Sequence, residues 1–92
     1  MIFKIEFSKE FEKKYAKIVK KDKKIKKKID KAISLLSQNP KYPSLKSHII
    51  QDTKYGQVWS SWAAPDLRIF WYYLDDEIII LLVNIGSHDK VY

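Results

Sequence analysis

Ninety-two residues with 18 Lys+Arg, 11 Asp+Glu, two His and no Cys leave room for one hydrophobic core, because a chain of this size buries only about 60–65% of its unfolded surface. A content of 46% hydrophobic and 14% aromatic residues excludes a disordered chain. The lack of cysteine excludes a disulfide framework, thiolate zinc ligation and a cysteine nucleophile.

The whole chain, 1–92, is expected to form a single domain. The longest apolar run, Ile78 to Val83, is strand-sized and far below the roughly 20 residues that span a bilayer. The first ten residues alternate and carry charge, unlike a signal peptide. A cytoplasmic protein without membrane contact is the expectation. The formal charge of +7 is placed unevenly: residues 1–31 hold 13 Lys and 5 acids, residues 32–92 hold 5 Lys+Arg and 6 acids. Such a cluster concentrates polyanions around itself, so RNA, DNA or an acidic protein fits it. Lysine is also a good helix former, and the same run can simply solvate a helical face.

In chain order, Ile2, Lys4 and Glu6 alternate with Phe3, Ile5 and Phe7, the period of a half-buried strand. Ser8 can cap a helix whose apolar positions Phe11, Tyr15, Ile18 and Val19 fall three to four apart, with Phe7 set before the cap as a staple. Asp22 can cap a second helix with Ile25, Ile29, Ala32, Ile33 and Leu36 on its buried stripe, stopped at Asn39-Pro40. The short connection predicts an antiparallel helical hairpin. Lys41 to Tyr55 carries turn residues and no sustained period, and is expected to be a loop with at most one short extended piece. Gln57–Ala64, Leu67–Leu74 and Ile78–Ile85 read as three strands of a meander, divided by Pro65-Asp66 and by Asp75-Asp76-Glu77. The third is apolar on both faces, as a central strand is. The expected fold is α+β, in the order β-α-α-β-β-β, with an N-terminal helical hairpin packed on a small antiparallel sheet.

Four side chains could carry chemistry. Arg68, the single arginine, lies inside the second meander strand between Leu67 and Ile69. A guanidinium there needs a carboxylate or a phosphate, and Asp66 is the nearest acid in sequence. His88, in the tail Gly86-Ser87-His88-Asp89-Lys90-Val91-Tyr92, and His48, in the loop, can exchange protons near neutrality. Two histidines with no cysteine and no spaced carboxylate partner do not make a metal set, so no metal and no cofactor is expected. Trp59, Trp62, Trp71 and Tyr72 could stack on unpaired bases, although most belong to a core.

The element order, the helix break at Gln38-Asn39-Pro40, the strand Asp66-Leu67-Arg68-Ile69-Phe70-Trp71 and the ending Ile85-Gly86-Ser87-His88-Asp89-Lys90-Val91-Tyr92 together resemble the RelE/ParE superfamily of type II toxin-antitoxin toxins. The similarity runs over nearly the whole chain and is greatest toward the RelE/YafQ-like branch. The resemblance implies an endoribonuclease that cuts mRNA in the ribosome without metal and is held inactive by a cognate antitoxin in a heteromeric complex. It puts proton transfer on His88, the closing aromatic on Tyr92 and phosphate stabilisation on Arg68, with contributions from His48 and Asp66. Lys46 stands where some members use a basic residue, and Trp62 stands where YafQ-like proteins carry a further histidine. Lys24, Lys27, Lys28 and Lys31 would then hold RNA backbone. A ParE-like gyrase inhibitor and an inactive antitoxin-binding remnant are the alternatives on the same fold.

Overall fold

Ser8 ends a strand and starts a helix. Its backbone N–H continues the strand ladder to the Leu82 carbonyl at 2.9 Å, while its hydroxyl accepts from the Phe11 N–H at 3.0 Å and donates to the Val83 carbonyl at 3.0 Å. One residue therefore fixes β1 (Lys4–Phe7), α1 (Lys9–Lys21) and the strand they share. Phe7 packs its ring on Phe11 with centroids 5.6 Å apart. Asp22 both ends α1 and caps α2 (Lys23–Gln38), accepting from the Lys24 and Ile25 N–H groups. The hydrogen bond from Tyr15 to Asp30, 2.7 Å long, ties the two helices at positions nearly equidistant from that turn, as an antiparallel hairpin requires.

The computed structural model describes residues 2–74 and 79–87. After α2 come a 3-10 turn at Pro43–Leu45, then β2 (His48–Asp52), β3 (Gly56–Ala64), β4 (Leu67–Leu74) and β5 (Ile79–Ser87). They form one sheet in the order β1-β5-β4-β3-β2. The chain is α+β, with its element order as expected and β5 central between β1 and β4. Two features depart from the sequence reading. The sheet is mixed, because β1 runs parallel to β5; the long connection that a parallel pair needs runs through the helical hairpin and β2–β4. The segment 41–55 also holds a full edge strand, since His48–Asp52 pairs antiparallel with Gly56–Ser60. The turn between them is set by Asp52, which accepts from the Lys54 and Tyr55 N–H groups at 2.8 Å, and by Gly56, whose φ of +74° suits glycine.

The core lies between the hairpin and one face of the sheet, with Phe11, Ile29, Leu36, Ile69, Trp71, Ile80 and Leu82 buried together. A second, smaller cluster of Val58, Phe70 and Val83, edged by Ile50, Tyr55, Tyr72 and Leu81, occupies the other face and contains no helical residue. Among the described residues this face is open and available for a site.

Glu10 locks α1 to the β2–β3 turn. Its carboxylate accepts from the Tyr55 hydroxyl and from Lys54 Nζ at 3.1 Å, and pairs with Lys14 Nζ at 3.4 Å. Chiefly through the Tyr55 hydrogen bond, and against partial burial, its pKa is lowered from 4.5 to about 2. A depressed carboxylate pKa stabilises the fold above the unfolded value and ceases to do so as pH falls through the folded value. The contribution is therefore complete above about pH 5 and fades toward pH 2. Glu10→Gln should cost about 1–2 kcal/mol at pH 7, below the full linkage value because the carboxylate is partly solvated. Melting curves at pH 7 and pH 3 should show the gap between parent and variant narrowing at the lower pH.

Candidate active site

Strand register assembles the open face into rows. His48 on β2 opposes Ser60 on β3, Ser60 opposes Phe70 on β4, and Phe70 opposes Asn84 on β5. Two residues further along, Trp62 opposes Arg68 and Arg68 opposes Gly86. Directly opposed side chains share a face. Arg68, His48 and Trp62 therefore belong to one surface, and α1 reaches its far end, where Lys14 Nζ donates to Asn84 Oδ1 at 2.7 Å.

Arg68 is only 5% exposed. Its Nη1 donates to the carbonyls of Ala64 at 3.1 Å, Pro65 at 2.9 Å and Leu67 at 3.4 Å. The guanidinium carbon also lies 4.1 Å from the centre of the Trp62 ring. The Asp66 ion pair raised by sequence proximity does not form: among the described residues the ion pairs involve only Glu6, Glu10 and Asp30, and Asp66 is an exposed turn residue. The carbonyls of the β3–β4 turn take the role that a carboxylate would have had, and among the described residues no carboxylate neutralises the positive charge. A cation held by neutral dipoles is suited to meeting a phosphate.

Trp62 gathers a second cation, for Lys46 Nζ lies 4.0 Å from the same ring centre. Each such contact is worth about 0.5–2 kcal/mol. Lys46 is the one non-glycine residue in left-handed conformation among those described, with φ of 48°. That conformation costs roughly 1–2 kcal/mol and turns the chain out of the 3-10 segment into β2. The carbonyl of Lys46 accepts from His48 Nδ1 at 3.0 Å. A carbonyl can only accept, so Nδ1 carries the proton and Nε2 is the basic nitrogen of the neutral ring. His48 is exposed and begins a strand; it is not in a loop.

Of the expected site residues, Arg68, Lys46 and His48 come to this surface, and Asp66 sits at its turn. His48 lies two strands from Arg68, about 10 Å away by strand spacing. His88 and Tyr92 lie outside the described residues; β5 ends at Ser87, paired with Leu67, and His88 is next in sequence. Lys24, Lys27, Lys28 and Lys31 are exposed along α2 without an ion pair among the described residues, whereas Lys26 pairs with Asp30 at 2.6 Å. Among the described residues no three His, Cys, Asp or Glu side chains gather as a metal set. Trp62 as a collector of cations was not read from the sequence as such. The turn at Pro65-Asp66 alone would set Ala63 opposite Arg68; a bulge between Trp62 and Ala64, which side-chain identity does not announce, is what brings Trp62 opposite Arg68.

The family described as a bacterial toxin of type II toxin-antitoxin system, YafQ, matches residues 3–92. The fold is similar to that of a metal-bound toxin from Helicobacter pylori, with 27% identity, all of both chains covered and a TM-score of 0.73. It is also similar to the toxin in the E. coli DinJ-YafQ toxin-antitoxin complex, with 22% identity, 100% and 99% of the two chains covered and a TM-score of 0.73. An archaeal RelE-RelB complex from Pyrococcus horikoshii shares the fold at 11% identity, over 98% and 99% of the chains, with a TM-score of 0.76. No curated protein sequence matches.

Proposed function

Because the chain belongs to the YafQ family of bacterial type II toxin-antitoxin toxins, within the RelE superfamily, we propose that it is a ribosome-dependent endoribonuclease which cuts translated mRNA by metal-free acid/base catalysis. A cognate antitoxin would hold it inactive, as a partner of the kind seen in the DinJ-YafQ and RelE-RelB complexes. The observation that carries this reading is Arg68, a cation held by turn carbonyls on the open face and directly opposed to Gly86, which His88 follows by two residues in sequence.

Cutting RNA through its own 2′-hydroxyl needs a base for that proton, a cation for the charge that builds on the phosphorane and an acid for the departing 5′ oxygen. In this reading Arg68 supplies the cation, and His88 with Asp66 or His48 supplies base and acid. Asp66 is two residues from Arg68 while His48 is two strands away, so Asp66 is the nearer partner and His48 meets an adjoining part of the RNA. By the family resemblance, Tyr92 would supply an aromatic to the same chemistry. Lys46 and the α2 lysines Lys24, Lys27, Lys28 and Lys31 contact RNA backbone, which makes binding weaken as salt rises.

The test is induced expression in a bacterial host, with mRNA 5′ ends mapped on a reporter carrying its start codon and on the same reporter without it. Cuts inside the reading frame that disappear with the start codon are expected. Cuts on both reporters would remove the ribosome from the mechanism. Intact mRNA with DNA damage would move the reading to gyrase inhibition, and intact mRNA and DNA from folded protein would leave an antitoxin-binding remnant.

A further inference from the structure

A cleft of about 300 Å³ opens between α2, the 3-10 turn and the β3–β4 turn, behind the wall that holds Arg68. Its floor is apolar, formed by Ala32, Leu35, Leu45 and Ala63, and among the described residues its only ionisable lining groups are the ammonium groups of Lys28 and Lys31. These two lysines are three apart on α2 and so share a face. Neither has a carboxylate partner among the described residues. Ser44, Trp62, Ala64 and Pro65 complete the lining among the described residues. The Ala64 and Pro65 carbonyls are the ones that accept from Arg68 Nη1, and the Trp62 ring is the one that Arg68 and Lys46 contact. The cleft and the open-face cations are thus separated by the thickness of one turn.

We propose that this cleft is a nucleotide subsite, which takes the base and phosphate of an RNA nucleotide neighbouring the one at Arg68. An apolar floor with two unpaired cations at its rim suits a flat, largely apolar ring bearing an anion. The volume sits at the lower end for small-molecule sites and holds about one nucleotide. An amphipathic helix, the other anionic occupant to consider, anchors through side chains spread over two turns or more and needs a longer groove. The ligand's identity as RNA rests on the activity proposed above; the preference for a nucleoside monophosphate over bare phosphate rests on the cleft itself.

The full chain, labelled with nitrogen-15, should be titrated with adenosine 5′-monophosphate, with inorganic phosphate and with a glutamate-rich amphipathic peptide. The Trp62 indole N–H resonance, assigned through Trp62→Phe, and the Ala63 and Ala64 amides report on the cleft. The nucleotide is expected to shift all three and saturate, with phosphate weaker by about fivefold or more because it leaves the apolar floor uncovered. The double variant Lys28→Glu/Lys31→Glu changes only exposed positions; it should keep the parent's melting temperature and weaken nucleotide binding by about tenfold or more. Equal affinity for phosphate would reduce the cleft to an anion site and overturn the proposal. So would nucleotide shifts confined to other residues, or binding of the peptide in place of the nucleotide. Uncut mRNA in the expression test would defeat the nuclease reading without touching this titration, so the two failures can be told apart.

Discussion

Arg68→Ala is expected to lower mRNA cleavage about 10²–10³-fold, the loss that follows removal of one preorganised group facing charge in a transition state. The side chain is preorganised in a specific sense. Three carbonyls hold Nη1 and the Trp62 ring lies 4.1 Å from the guanidinium carbon, so the cation does not have to be ordered when the phosphate arrives. Arg68→Lys should recover only part of the loss, because an ammonium is a point charge without the planar fork that meets both the turn and a phosphate. The carbonyls left behind by alanine belong to an exposed turn, apart from that of Leu67, and water can satisfy them. The stability cost should therefore stay near 1–2 kcal/mol, which melting curves of the purified variants would separate from the catalytic loss. His88→Ala should cost a comparable 10²–10⁴-fold. An Arg68→Ala protein that cuts as fast as the parent would assign phosphate stabilisation elsewhere, and Lys46, on the same tryptophan ring, would be the next residue to replace.

The elements legible in the sequence are those that local chemistry specifies. Ser8 and Asp22 announce helix starts because a side-chain oxygen before an apolar 3.6-residue period has few other uses, and both caps form. The strand Leu67–Leu74 is read to the residue, since Pro65-Asp66 and Asp75-Asp76 bracket a run that is apolar or aromatic but for Arg68. Partner choice is a different matter. Nothing in Lys4–Phe7 says that it runs parallel to β5; that follows from a 75-residue return of the chain, visible as the Ser8 hydroxyl on Val83. β2 is hidden for another reason. It is an edge strand with Ile49 turned to solvent and His48, Gln51 and Asp52 breaking the apolar period, and edge strands carry weak patterns. In the site, Arg68 stands out as a lone arginine among apolar residues, and its position on the middle strand is readable. Its partners are not, because backbone carbonyls of a turn leave no mark in side-chain identity. Lys46 in left-handed conformation is equally silent, as lysine is not a residue that advertises a positive φ.

Trp71→Phe should be among the most destabilising single changes, with a loss of about 2–4 kcal/mol and a melting temperature lower by roughly 10–25 °C. Trp71 is fully buried, stacked on Trp59 with centroids 5.5 Å apart and edge-on to Tyr73 at 5.1 Å. Its indole N–H donates to Ser61 Oγ at 2.8 Å, Ser61 and Ser47 hydroxyls meet at 2.6 Å, and Ser47 donates to the Pro40 carbonyl at 2.7 Å. The direction of this chain is fixed at both ends. The indole can only donate and the carbonyl can only accept, so Ser47 spends its proton on Pro40 and Ser61 must donate to Ser47. Phenylalanine removes the first donor and leaves the buried Ser61 oxygen short of a partner, besides opening space beside Trp59. Ser47 lies between Lys46 and His48 in sequence, so the same relay ties the core to the segment that carries two cationic or titratable groups of the open face. Mobility of that segment should rise along with the loss of stability, and cleavage measured well below the melting temperature should fall as well. Ser47→Ala breaks the relay without a cavity and should reproduce the loss of activity at a smaller cost in stability, about 1–3 kcal/mol. A Trp71→Phe protein that melts within a few degrees of the parent would show that the relay contributes nothing to the fold.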